Sequence, residues 1–567
     1  MQKSLFPSQL PTIISRLQEM VIAAAASPDV LLQKEMITLC LQPLSDSDPL
    51  FSQKKRLSDA RNLKFEFHIP VPSTEEDVLN ILNHIVRSAR ILHLDEVEIY
   101  FAEDDACGPF CPKNELESLN SILLIIDSLF SCAKSDGMEV LQVLQKATVS
   151  MINCVGAQNI DSMIVKWVDT DAEESLMKWG KDHGVRTKLK IAYFEEAGRG
   201  AIASEDINIG DIALEIPKSL IISEDLVLES DMFDVLRNLE GITCETMLLL
   251  WSMRERYNSN SRFKNYFEAL PKCFNTGLSF GVDALSVLEG TLVFEELLQA
   301  REHLHQQYDA LCPTLCANHP DVFQPEMYSW DQYLWACELW YSNGMKIICS
   351  DGKLKTCLVP VAGLLNHSVC PHILRYGRMD PETKSLKFPV SRPCKGGEQC
   401  FLSYGSLPGS HLVIFYGFLP KGNNPYDVIP LDFDVSCAED DTSQCQSGET
   451  GWTSHMIRGT WLSKSSKPHT YHLPSPLLAH LRAVLKGSDF EMDPGESIHE
   501  EIERSVLETI LSIFTPMMEA LGDSDEVDRE SSNWDVKLAL DYKDLQSRII
   551  SSILVSCTAG LRELNGS

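Results

Sequence analysis

Apolar positions recur along this chain with two periods, and the changes of period divide it into regions. After Ser73-Thr74-Glu75-Glu76, residues Val78, Leu79, Leu82, Ile85, Val86 and Ala89 are spaced to line one helix face, and the hydroxyl and carboxylate residues ahead of them suit a helix start. A second apolar helix is expected over about 116–129. Between them, Val97, Ile99 and Phe101 alternate with Glu96, Glu98 and Tyr100, which predicts a short strand. Stretches 45–53 and 102–113, rich in Asp, Pro and Gly, read as loops. Residues 1–174 are thus a mainly helical extension, expected to buttress the rest of the chain rather than to dock a partner.

From about residue 175 the pattern shortens. Leu176 and Trp179 predict a short helix before Gly184, and 190–193, 201–203 and 212–216 read as small strands separated by turns at Gly198–Gly200 and Gly210. Helical spacing returns over about 235–343, with a buried helix at Met247–Trp251 and a stripe of Val293, Leu297, Leu304, Tyr308 and Leu311. Tyr328, Trp330, Tyr333, Trp335, Trp340 and Tyr341 crowd the end of this insertion and are expected in its core. Cys400, Leu402 and Tyr404 then share one face of a predicted strand, which points Tyr404 inward from a rigid element. A polar linker follows over about 421–453, and three helical patterns, 477–485, 502–513 and 538–554, close the chain.

Length adds that several domains are present, at about 100–200 residues each. The expected units are 1–174, 175–430 and 431–567. A net charge of -32 leaves no basic face for counterion release, which excludes direct nucleic-acid binding and keeps basic protein partners open. The longest apolar run, Met20–Ala26, is too short to span a bilayer, and Lys3, Arg16 and Glu19 ahead of it make neither a signal-peptide core nor an Arg/Ser-rich transit peptide. Eighteen cysteines without a secretory signal indicate a reducing compartment, the cytoplasm or nucleus. Cys107 with Cys111, and Cys312 with Cys316, have a spacing zinc uses, but neither has a matching second pair, and no metal is expected.

The candidate chemistry lies in three ordered clusters. Gly198-Arg199-Gly200 precedes Ala201-Ile202-Ala203 and Gly210-Asp211; Leu364-Leu365-Asn366-His367-Ser368 follows the insertion; Ser403-Tyr404-Gly405 comes next, with Tyr416-Gly417-Phe418 behind it. Their order and spacing resemble SET-domain protein methyltransferases, and the helical insertion resembles that of the Rubisco large-subunit methyltransferase group. The resemblance implies an α+β fold: small β-sheets threaded through a pseudoknot, a helical insertion at about 235–343, and a helical carboxy-terminal substrate-binding lobe beside the helical amino-terminal extension. It implies S-adenosyl-L-methionine (SAM) as cofactor, with Gly198, Arg199, Gly200, Asn343, Asn366, His367 and Tyr404 as its contacts. Tyr404 is then the catalytic residue, and Ser342, Tyr376 and Tyr416 line the substrate channel.

The implied partner is a protein presenting a lysine side chain to a monomeric enzyme, with no membrane and no nucleic acid involved. The zinc-binding Cys-rich tail of many histone-directed members is missing after Tyr416, which implies a non-histone substrate. Some members of the group modify histidine, and some are chloroplast enzymes, so a plastid joins the cytoplasm and nucleus as a compartment. Two positions differ from the group. Asn343 stands where relatives carry an Arg that assists SAM binding, and Pro408-Gly409-Ser410 stands where they carry Ser-Asn, so Ser410 is expected to cap the next helix. These differences motivate a third reading, a degenerate SET scaffold that binds a partner without catalysis.

Overall fold

The computed structural model describes residues 36–566 apart from 72, 103–107, 133–134, 158–163, 168–169, 196, 434–451, 453, 466, 487–497 and 523–527. The Met20–Ala26 run, Cys107 and much of the expected linker lie outside the described residues.

Strands Met36–Cys40 and Glu66–Pro70 pair antiparallel, with Leu39 opposite Phe67. Their period-two alternation buries Ile37, Leu39, Phe67 and Ile69 against the helices Glu75–Leu92, Pro112–Cys132 and Ser135–Ala157. Thr74 caps the first of these by accepting the Asp77 N–H at 3.2 Å. The extension therefore contains sheet as well as helix. The strand expected at Val97–Phe101 is instead the helix Glu96–Tyr100. Asp95 accepts the Glu98 N–H at 2.9 Å while Glu98 accepts the Asp95 N–H at 3.0 Å, and this reciprocal cap outweighs the alternation of apolar residues.

The central region holds a four-stranded sheet in the order Met379–Asp380, Ser385–Pro389, Ile212–Pro217, Arg186–Thr187. A three-stranded sheet sets Leu189–Phe194 between Gly198–Ala203 and Ile164–Trp167, so a strand from the extension completes it. The insertion is helical, and its helices Cys244–Glu255, Leu292–Asn318 and Trp330–Asn343 join the same core as the sheets. Tyr328, Tyr333, Trp335 and Trp340 are buried there. Trp335 Nε1 donates to the Pro271 carbonyl at 3.0 Å and Trp340 Nε1 to Ser252 Oγ at 2.9 Å, which satisfies the indole donors that burial would otherwise strand.

The carboxy-terminal helices are Ser475–Lys486, Ile498–Leu521 and Trp534–Gly566. The last spans two cores: Val536 to Tyr542 pack with the central sheets, Ile549 to Cys557 with the other two helices. Part of the expected linker is ordered, since Val428–Leu431 pairs with His455–Arg458.

The segment carrying Tyr404 is not the regular strand that its alternation predicts. Gln399 pairs with Ile202, and Leu402 pairs in parallel with both His367 and Ile373. Leu402 donates to the Asn366 carbonyl at 2.8 Å, and Cys400 to that of Ala201 at 2.8 Å. Its bonds are shared among segments on different sides, so no continuous ladder forms, but the chain is held between the glycine cluster and the Asn-His cluster.

Candidate active site

A short turn, Ala362–Leu364, leads into Asn366. Its entry residue, Val361, has φ 71°, a conformation costly for a β-branched side chain and held here by burial. The Asn366 amide donates to the Arg199 carbonyl at 3.1 Å, which joins the first two sequence clusters. Gly200 makes this approach sterically feasible: a Cβ there would lie 2.6 Å from Gln399 Nε2, 2.8 Å from Asn366 Nδ2 and 2.9 Å from Phe194.

His367 Nδ1 accepts the Tyr404 backbone N–H at 3.1 Å, which places the hydrogen of the neutral ring on Nε2. Burial, reinforced by the Lys113 ammonium, pushes the imidazole down to about 4. The Tyr404 hydroxyl donates to the Leu365 carbonyl at 2.9 Å. Tyr404 stacks on Tyr416 with ring centroids 5.1 Å apart. Burial, then the neighbouring Tyr416 and Tyr376, raise its hydroxyl far above the usual phenol range, so it stays a proton carrier and donor. Tyr376 Oη donates to the Ser403 carbonyl at 2.6 Å and its ring stacks on Phe388. Burial pushes the Tyr416 hydroxyl up to about 12. Phe418 lies 6.4 Å from the His367 ring.

The other predicted residues are placed differently. The Arg199 guanidinium is engaged with the Ala269 carbonyl at 2.5 Å and Glu173 at 3.5 Å, so this residue meets the Asn366 cluster through its backbone. Asn343 ends the helix Trp330–Asn343, donating to Ser342 Oγ at 2.8 Å, while Ser342 donates to the Glu338 carbonyl at 2.6 Å. Ser410 makes no cap on the helix Gly409–Tyr416. Asp427 does so from a distance, accepting the Gly409 N–H at 2.7 Å, because Pro408 and Gly409 leave that donor without a local hydroxyl. Gly417 ends this helix at φ 76°, where a Cβ would run into the Asn275 carbonyl.

Sequence reasoning missed the contribution of the extension. Ser406, two residues past Tyr404, donates to Asp95 at 2.6 Å and accepts from Lys113 Nζ at 3.2 Å. Lys113 also pairs with Glu117 at 3.6 Å. A small cavity is walled by Cys111 and Lys113 on the extension side and by His367, Ser403, Gly405 and Tyr426 on the other. Cys111 Sγ donates to Glu98 at 2.6 Å, and Tyr426 Oη donates to the same oxygen at 3.3 Å. No periodicity connects residues so far apart in sequence.

The same architecture is found in the solved structure of Rubisco LSMT bound to sinefungin and monomethyllysine, which is 19% identical, with a TM-score of 0.52 over 70% of this chain and 94% of that one. The fold is the SET fold. No family model matches the chain. Among curated proteins, the chain is similar to the chloroplastic Rubisco large-subunit N-methyltransferase of Pisum sativum, 26% identical over 45% of this chain and 52% of that protein. It is likewise similar to the chloroplastic [fructose-bisphosphate aldolase]-lysine N-methyltransferase of Arabidopsis thaliana, 25% identical over 55% and 64%. The actin-histidine N-methyltransferase of Gallus gallus is 26% identical over 46% and 44%. The chain spans about half the length of the curated relatives it matches. No described helix is long and apolar enough to cross a membrane.

Proposed function

We propose that this chain is a SAM-dependent protein-lysine N-methyltransferase acting on a non-histone protein as a monomer in the cytoplasm, the nucleus or a plastid. The observation that carries the reading is the joining of the Asn-His and Tyr-Gly clusters by the Tyr404 N–H on His367 and the Tyr404 hydroxyl on the Leu365 carbonyl. The residues present fit the cofactor in their chemistry: aromatic faces of His367, Tyr404, Tyr416 and Phe418 suit a flat adenine and a cationic centre, and the Asn366 cluster supplies amide and carbonyl partners. Bound SAM would supply a methyl group on a sulfonium.

The chain's own residues handle the amine. A lysine with an ordinary pKa near 10.4 is neutral about once in a thousand near pH ~7.4, a deficit of roughly 4 kcal/mol. The buried aromatic rings of Tyr376, Tyr404 and Tyr416, as the lining of the lysine channel, would disfavour the ammonium by desolvation. Tyr404, kept protonated, and the Leu365 carbonyl orient the nucleophile, and such orientation is the main contribution an enzyme makes to a displacement of this kind.

The Gallus gallus relative supports a second reading, methylation of histidine. Imidazole is already largely neutral near pH 7.4, so the rate of a histidine enzyme rises less steeply with alkaline pH. The deciding experiment incubates the chain and Tyr404→Phe with methyl-labelled SAM and a hypomethylated cell extract, then locates the label by mass spectrometry. Label on lysine that depends on Tyr404 is the expected result. Label on histidine transfers the proposal to the second reading, and absence of SAM binding by the folded chain favours the scaffold.

A further inference from the structure

Three side chains of metal-binding type converge in the core beside the segment that leads to Tyr404. His372, Cys394 and Cys400 are each no more than 1% exposed. One ligand atom from each lies within 4.8 Å of the other two. His372 follows the Asn-His cluster, Cys394 follows the strand Ser385–Pro389, and Cys400 opens the segment that leads to Tyr404. Backbone bonds fix all three: Cys394 exchanges both of its bonds with Ile207, at 2.8 and 3.0 Å, Cys400 donates to the Ala201 carbonyl at 2.8 Å, and His372 donates to the Phe401 carbonyl at 3.0 Å while accepting the Ser391 N–H at 2.7 Å. Two sulfurs and an imidazole at this spacing are the donor set that zinc favours.

We propose that His372, Cys394 and Cys400 form a zinc site that ties the loop ahead of Cys400 to the segment carrying Tyr404. The surrounding hydrogen bonds set the cost of coordination at each ring nitrogen. Phe401 N–H donates to His372 Nδ1 at 3.1 Å, so the neutral ring carries its hydrogen on Nε2, 3.3 Å from Glu398 Oε1. Zinc takes the Nδ1 lone pair at the cost of that one backbone bond. Nε2–H stays on the Glu398 carboxylate, the outer pairing that orients metal-bound histidines. Glu398 is itself steadied by the Lys395 N–H at 2.9 Å and by Arg392 at 3.6 Å. The two thiols release their protons to solvent on binding, and the two thiolates balance the dication. Three protein donors leave the fourth tetrahedral position to a water.

The test measures metal content of the full chain, expressed untagged in zinc-supplemented medium and purified without chelator, by plasma mass spectrometry. About one zinc per chain is expected in the unaltered protein, and its loss is expected in Cys394→Ser with Cys400→Ser and in His372→Ala. Because the variants can misfold, a second measurement titrates Co2+ into the metal-stripped unaltered chain, where thiolate-to-cobalt charge-transfer absorption together with tetrahedral ligand-field bands is expected. A folded chain with neither zinc nor a cobalt–thiolate band overturns the site. So does zinc retained in the double variant, or a Cys394–Cys400 disulfide found in the purified chain.

Discussion

The backbone N–H of Tyr404 donates to Nδ1 of His367 at 3.1 Å, so the imidazole next to Asn366 positions the tyrosine rather than serving as a base. With its lone pair occupied and its ring neutral, His367 acts as a clamp between two clusters that are far apart in sequence. This arrangement sets what substitutions at the site should do.

Tyr404→Phe keeps the ring stack on Tyr416 and the backbone bond to His367 but removes the donor to Leu365. Methyl transfer is expected to fall by about 10²–10³, the usual loss for one preorganised donor. Stability is expected to fall by only about 1 kcal/mol, the net worth of one hydrogen bond. Label-transfer rates and urea unfolding separate the two.

The pH dependence of stability has a definite sign. The His367 ring is depressed from its ordinary 6.5 to about 4, so between those values the unfolded chain binds more protons than the folded one. Stability contributed by the neutral ring is present above about pH 6.5 and is lost as pH falls toward 4. Burial depresses His411 in the same direction. Urea midpoints measured from pH 7 to 4.5 should decline, and His367→Gln should flatten part of the slope.

Gly200→Ala forces a methyl against Gln399, Asn366 and Phe194. A loss of about 1–3 kcal/mol is expected from overpacking, with weaker SAM binding because the Asn366 amide must move off the Arg199 carbonyl. Thermal unfolding and calorimetric SAM titration check both parts.

Asn343→Arg introduces the cation that the resemblance to the Rubisco large-subunit methyltransferase group implies at this position. A charged donor to a carboxylate exceeds a neutral one by about 1 kcal/mol or more, so SAM affinity should tighten by roughly tenfold. An unchanged Kd would remove Asn343 from the proposed cofactor site.

Lys113→Met breaks the link between the extension and Ser406 and leaves Glu117 without its ammonium. A destabilisation of about 1–3 kcal/mol is expected on removing one partner of this part-buried pair. His367 should also titrate closer to its ordinary 6.5, since the Lys113 charge helps depress it. NMR of the imidazole proton reads this second effect, which mere loosening of the fold would not specify.

Much of this was legible before any coordinates. The helices Glu75–Leu92, Cys244–Glu255 and Trp534–Gly566 follow from helical spacing, because a stripe of apolar residues must find a core. The Asn366-His367 and Tyr404 clusters stood out only in combination with Gly198–Gly200, through an order and spacing that resemble SET-domain methyltransferases, because each cluster alone is too short to be specific. At Val97–Phe101 alternation misled, since the Asp95–Glu98 cap is a hydrogen-bond pattern that hydropathy does not register.

By itself the sequence determined the helical segments, the short strands around the glycine cluster and the residues able to carry chemistry, all properties of neighbours along the chain. Only the tertiary structure decided that Tyr404 rests on His367, that Lys113 reaches Ser406, that Asp427 rather than Ser410 caps Gly409, and that His372 meets Cys394 and Cys400. Those contacts depend on how one segment threads between others, where burial and hydrogen bonding choose partners without regard to sequence distance.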